Sequence, residues 1–132
     1  IVRGDWSSDV CSSDLEELYL TGYDLMDRMG QLTALLETAL RQFGKRGSEW
    51  AASERDYRIA LSQKLLELRA QGIPVTILAD LARGDAKIAA MKFDRDAKEA
   101  LYKAAQEAIQ SYKLQMKLTE AQIEREWGKS NA

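Results

Sequence analysis

Asp24 and Asp27 stand three residues apart, a spacing that sets both carboxylates on one face of a helix. Acids paired this way, opposite a second pair on a neighbouring helix, are how helical enzymes hold magnesium against a nucleoside triphosphate. No second Glu-x-x-Glu or Glu-x-x-Asp accompanies them. The other acids cluster at Asp94, Asp96 and Glu99 and at Glu120, Glu124 and Glu126, and bases lie within one helical turn: Lys98 for Asp94, Lys92 for Asp96, Lys117 for Glu120. Ordinary ion pairing along a solvated helix accounts for that pattern. A magnesium-dependent nucleotide pyrophosphohydrolase is retained only as the enzyme alternative.

Histidine is absent and the one cysteine is Cys11. It falls within Asp5-Trp6-Ser7-Ser8-Asp9-Val10-Cys11-Ser12-Ser13-Asp14-Leu15, a run that resembles a translated sequencing adapter. The resemblance implies that residues 1–15 are a foreign segment from an environmental assembly and that the true start of the chain is missing. With that segment set aside there is no thiol nucleophile, no imidazole for proton transfer and no nitrogen–sulfur metal site. The expectation is therefore no catalytic residue, no resident metal and no cofactor.

What remains for ligand binding is cationic and aromatic. A basic set lies on the last long helical stretch, at Lys87, Lys92, Arg95, Lys98, Lys103, Lys113 and Lys117, with Tyr102 and Tyr112 among them. Arg grips phosphate through two donors and Tyr stacks on bases. Arg58, Lys64, Arg83, Arg95, Tyr102 and Tyr112 are the candidate ligand-binding residues on this reasoning. Against it, residues 85–132 hold eight acids and nine bases, which is the balance of a mixed-charge surface. Arg83-Gly84-Asp85 reads as a helix stop followed by a cap, and the helix start beyond it favours anions.

The whole chain of 132 residues has formal charge −2, and residues 1–15 supply all of it. A neutral remainder has no global field to draw in nucleic acid or anionic membrane. Hydrophobic residues make up 45% and charged ones 30%, enough for a packed core. The single proline suits long helices, and no apolar run approaches the roughly 18 residues of a membrane span. A cytoplasmic protein is expected.

The elements follow from periodicity and punctuation. Leu18, Gly22, Leu25, Met29, Leu32, Leu36, Ala39 and Phe43 alternate by four and three, a heptad seam on a helix from Glu16 to Phe43. Gly44 and Gly47 are expected to stop it, and Ser48 to cap a second helix running to Ala70 with Trp50, Tyr57, Leu61, Leu65 and Leu68 inward and Ile59 and Leu66 broadening the stripe. Gly72-Ile73-Pro74 ends that helix. Thr76 caps a short helix over Ile77–Ala82, better suited to closing a bundle corner than to reading a DNA groove as a helix-turn-helix would. The last helix spans Ala86–Trp127, roughly 60 Å, with Leu101, Ala105, Ala108, Tyr112, Met116, Thr119, Ile123 and Trp127 inward. Ala97, Ala100, Ala104, Ala105 and Ala108 would permit close helix approach along it. The fold expected is all-α: an elongated antiparallel helical bundle or hairpin with long first and last helices and a short corner helix, one domain over residues 16–128 with a tail at 129–132. A last helix this long also suggests homo-oligomerisation, part of its seam being covered by another subunit.

Glu54-Arg55-Asp56-Tyr57-Arg58-Ile59-Ala60-Leu61, Gly72-Ile73-Pro74-Val75-Thr76-Ile77, Asp80-Leu81-Ala82-Arg83-Gly84-Asp85, Lys92-Phe93-Asp94-Arg95-Asp96, Glu99-Ala100-Leu101-Tyr102 and Gln122-Ile123-Glu124-Arg125-Glu126-Trp127 carry a second resemblance. Over residues 50–128 the chain resembles small uncharacterised helical proteins of phages and prophages from Gram-positive bacteria. That implies a non-enzymatic accessory protein acting in DNA replication and recombination or against host defence. Its partners would be nucleic acid, a nucleotide signal or a host or phage protein, with no membrane. A purely structural coiled-coil assembly protein is the other alternative.

Overall fold

The computed structural model describes residues 22–131, with side chains as far as Gly128. The segment expected to be foreign, the expected helix start at Glu16 and the first seam residue Leu18 lie outside the described residues. What is described is all-α: α1 (Gly22–Ala70), α2 (Val75–Gly84) and α3 (Ala86–Asn131). No described helix is long and apolar enough to cross a membrane.

The first correction concerns Gly44 and Gly47, which interrupt nothing: α1 is one helix of 49 residues, and Ser48 is an exposed interior position rather than a cap. Each interior glycine costs about 1 kcal/mol against alanine, so tertiary packing must carry the helix through. The seam shows how. Phe43, Trp50 and Tyr57 are seven apart, and the covered positions 36, 39, 43, 46, 50, 53 and 57 keep the three–four alternation without a phase break. Gly47 also faces the Tyr102 ring, where a Cβ would lie 3.2 Å from Cε2.

α1 ends as its sequence demands. Gly72 takes φ +82°, and its N–H donates to Arg69 O at 3.1 Å while Ile73 N–H donates to Leu68 O at 3.2 Å, a Schellman closure that needs the left-handed residue. The second correction is at α2, which begins at Val75 on a Pro74 N-cap with no side-chain cap bond, so Thr76 is not the cap. Proline fits because its fixed φ is already helical and Pro74 O accepts from Ile77 N–H at 3.2 Å. Ala82 is wholly buried and anchors the short helix.

Asp85 works in three directions. Its N–H donates to Ala82 O and closes α2, while its Oδ2 accepts from the N–H groups of Lys87 at 3.1 Å and Ile88 at 3.3 Å and opens α3. Its Oδ1 lies 3.5 Å from Lys64 Nζ on α1. Capping by Asp85 is as the sequence implied.

The third correction is the phase of α3. Covered positions run 88, 91, 95, 98, 102, 105, 109, 112, 116, 119, 123 and 126, an unbroken heptad. Leu101 and Trp127 are exposed, and Tyr102, Ile109 and Glu126 take up seam positions instead. The helix also runs past Trp127 into the expected tail.

The chain divides into two compact units. Residues 38–110 form one, in which α1 and α3 run antiparallel: Phe43 and Trp50 meet Tyr102, Tyr57 meets Arg95, and Lys64 meets Asp85. The other holds residues 22–37 of α1 and 111–131 of α3. Its covered positions include Leu25, Met29, Leu32 and Leu36 with Tyr112, Met116, Thr119 and Ile123.

Candidate functional site

The unit of residues 38–110 holds most of the polar geometry. Around Gly47 the Tyr102 ring stacks on Phe43 with centroids 4.6 Å apart and lies tilted against Trp50 at 5.1 Å. Arg46 donates from Nη1 to Leu101 O at 3.2 Å, tying α1 to the backbone of α3. Two turns further along α1, the Arg95 guanidinium sits 4.8 Å from the centre of the Tyr57 ring. Arg95 also donates to Asp96 Oδ1 at 2.9 Å, a bond that holds its pKa above the usual value.

Beside this seam an open groove of about 470 Å³ runs between α1 and α3. Ser53 and Met91 lie in it, and Glu49, Asp56, Asp94, Lys87 and Lys98 give it mixed charge. Lys98 and Asp94 pair at 3.0 Å across one turn of α3. These ionic groups suit a small polar ligand, and the one hydroxyl in the groove, Ser53 Oγ, donates to Trp50 O at 2.7 Å within α1. A smaller groove at the corner is lined by Lys64, Glu67, Asp85 and Lys87. There the helix start expected to favour anions is filled by Asp85's own carboxylate. The Ile88 N–H first, and then Lys64 and the Lys87 N–H, hold its pKa below the ordinary value.

The six candidate residues each have their own surroundings. Arg58 is exposed and bonds Glu54 at 3.0 Å; Lys64 pairs with Glu67 and Asp85; Arg83 is exposed on the last turn of α2. Arg95 lies on Tyr57, Tyr102 is packed in the aromatic seam, and Tyr112 is a half-buried seam residue of the other unit. Among the described residues no hydrogen bond or ion pair joins any two of the six. Asp24 and Asp27 line an open groove of about 510 Å³ with Arg28, Gln31, Leu32 and Leu35. Among the described residues no three carboxylates lie close enough together to hold a metal ion.

A further feature was not singled out as a site in the sequence. Phe93, Ala97, Ala100 and Ala104 repeat by four and three on the side of α3 turned away from α1, and all four are exposed. Phe93 is 76% exposed. Of the five alanines expected to permit close approach, Ala105 and Ala108 lie toward the α1 seam and the other three on this outer face. Testing both heptad phases of α3 would have found it.

No family model, curated protein or solved structure matches the chain.

Proposed function

We propose that this protein is a non-enzymatic phage accessory protein that acts by binding another protein through packed helices. The observation that carries the reading is the outer face of α3, a heptad-spaced apolar stripe with an exposed phenylalanine and no partner in its own unit. Exposed apolar surface organised at helical spacing suits a helical partner. The cations support a protein rather than a nucleic acid partner. Arg58, Lys64, Arg95, Lys98 and Lys103 are each engaged by a carboxylate, which neutralises five of the cations that a nucleic acid would use. The phage setting is supported by the resemblance over residues 50–128.

The test is to incubate the full chain with magnesium and a nucleoside triphosphate panel, and separately with labelled oligonucleotides at low salt. Neither phosphate or pyrophosphate release nor a mobility shift is expected. Magnesium-dependent turnover that disappears in Asp24→Ala/Asp27→Ala would establish the enzyme alternative. A shift that weakens steeply with added salt would establish a nucleic acid partner, because phosphate contacts release counterions.

A further inference from the structure

We infer that the outer face of α3 docks onto the same face of a second copy, antiparallel, in a single register set by Phe93, Asp96 and Lys103. This rests on the reading of the protein as a helix-face binder and names its partner. The homo-oligomer expected from the sequence invoked the seam of α3, but the covered seam positions of residues 88–109 face α1 within the unit, so the opposite face is the one left to pair.

The face is narrow and small at its middle. Ala97 and Ala100 present only methyl groups, so two such helices can approach closely, with Phe93 toward one end and Ala104 toward the other. An antiparallel pair that sets Ala97 opposite Ala100 also sets Phe93 of each copy opposite Ala104 of the other. The one large side chain then meets a small one at both ends, the big-on-small interdigitation that fills an interface without a void.

Charge selects the same arrangement. Asp96 and Lys103 lie seven residues apart along one edge of the stripe, and in an antiparallel pair like edges face each other. In the register just described, Asp96 of each copy faces Lys103 of the other, giving two opposite-charge pairs. A slip of one heptad in one direction brings Asp96 against Asp96, and in the other Lys103 against Lys103. A parallel pair would instead set Asp96 beside the edge that carries Asp94 and Leu101, leaving Lys103 without a carboxylate. In the single chain Asp96 bonds the partly covered Arg95 and Lys103 bonds the partly covered Glu99, and Asp96 and Lys103 are the more exposed member of each pair, open to a second partner.

Sedimentation velocity of the full chain over a wide concentration range tests this, with circular dichroism confirming that each variant stays helical. The wild type should pass from monomer to dimer. Ala97→Glu/Ala100→Glu, at exposed positions that tolerate glutamate in a helix, should weaken the dimer by about tenfold or more. Asp96→Lys should weaken it too, and adding Lys103→Asp should restore it. A wild type that stays monomeric to its solubility limit overturns the inference. So does a dimer indifferent to Ala97→Glu/Ala100→Glu, or a double charge swap as weak as the single one. A monomer would leave the helix-face reading standing on its own turnover and oligonucleotide tests, so the two can fail separately.

Discussion

The two units solve the same packing problem with different side chains. In the unit of residues 22–37 and 111–131, the seam is aliphatic and sulfur-bearing on α1, and its most buried α3 residue is Thr119, whose hydroxyl bonds back to Gln115 O at 2.8 Å within its own helix. In the unit of residues 38–110 the seam is aromatic, and Arg46 to Leu101 O, Arg95 over Tyr57 and Lys64 to Asp85 each join one helix to another. Aliphatic residues of similar size pack acceptably after a slip of one heptad. Directional contacts do not, so polar and aromatic seam positions specify register where aliphatic ones supply only burial. The difference assigns register to the second unit.

The largest effects should come from cutting each seam at its centre. Tyr102→Ala removes the ring that contacts Phe43, Trp50 and Gly47, and should cost about 3 kcal/mol in urea unfolding. Leu32→Ala deletes a side chain only 5% exposed and should cost about 2–3 kcal/mol. The comparison turns on what else changes. Hydrogen exchange after Tyr102→Ala should rise along both helices of its unit, whereas after Leu32→Ala it should stay confined to residues near the cavity. If Leu32→Ala loosens residues 38–110 more than Tyr102→Ala does, register does not reside in the aromatic seam.

Next in size is the corner that belongs to the aromatic unit alone. Asp85 has its folded pKa below the ordinary value of 3.8, chiefly through the Ile88 N–H and then Lys64 and the Lys87 N–H. A depressed carboxylate pKa adds stability that is complete above the unfolded pKa and is lost as pH falls through the folded one. Asn caps a helix as well as Asp but carries no charge. Asp85→Asn should therefore lower the melting temperature by a few degrees at neutral pH. The gap from wild type should close as pH drops below the ordinary carboxylate value. A gap that stays constant through the acid range would mean that the charge adds nothing to the cap.

How much of this could be read from the chain depended on how local the cause was. The Schellman end at Gly72 and the cap at Asp85 are each fixed by residues within one turn, and both were legible. The seam from Leu25 to Phe43 was legible because its three–four alternation holds throughout, although Met26, Leu35 and Leu40 beside it are apolar and exposed. Gly44 and Gly47 misled because glycine's local signal is a stop, whereas its use here is set by a Tyr102 ring on another helix. The heptad step from Phe43 through Trp50 to Tyr57 carried the correcting signal. On α3 the adjacent apolar pair Leu101 and Tyr102 made the phase ambiguous, and choosing Leu101 for the seam left Tyr102 to be read as a ligand residue. The candidate cations were chosen by residue type, and the carboxylates that engage them belong to the surface pairing the sequence already showed.

The smallest effect gives the sharpest comparison, because it uses two glycines three residues apart on one helix. At Gly44 an added Cβ meets nothing within 4 Å, so Gly44→Ala should stabilise by about 1 kcal/mol, the helix-propensity gain alone. At Gly47 the same gain is opposed by Tyr102, whose Cε2 and Cδ2 would lie 3.2 and 3.4 Å from the new methyl. That ring cannot withdraw freely, being held against both Phe43 and Trp50. Gly47→Ala should therefore be close to neutral or destabilising by a few tenths of a kcal/mol, roughly 1 kcal/mol worse than its neighbour. Removing the ring isolates the cause: in a Tyr102→Ala background, Gly47→Ala should recover the stabilisation seen at Gly44. The coupling measured by that double-mutant cycle is the part of the aromatic register that depends on a missing methyl group. Equal gains at the two glycines in the wild-type background would show that Tyr102 adapts, and that the register is held by Arg46 and Arg95 instead.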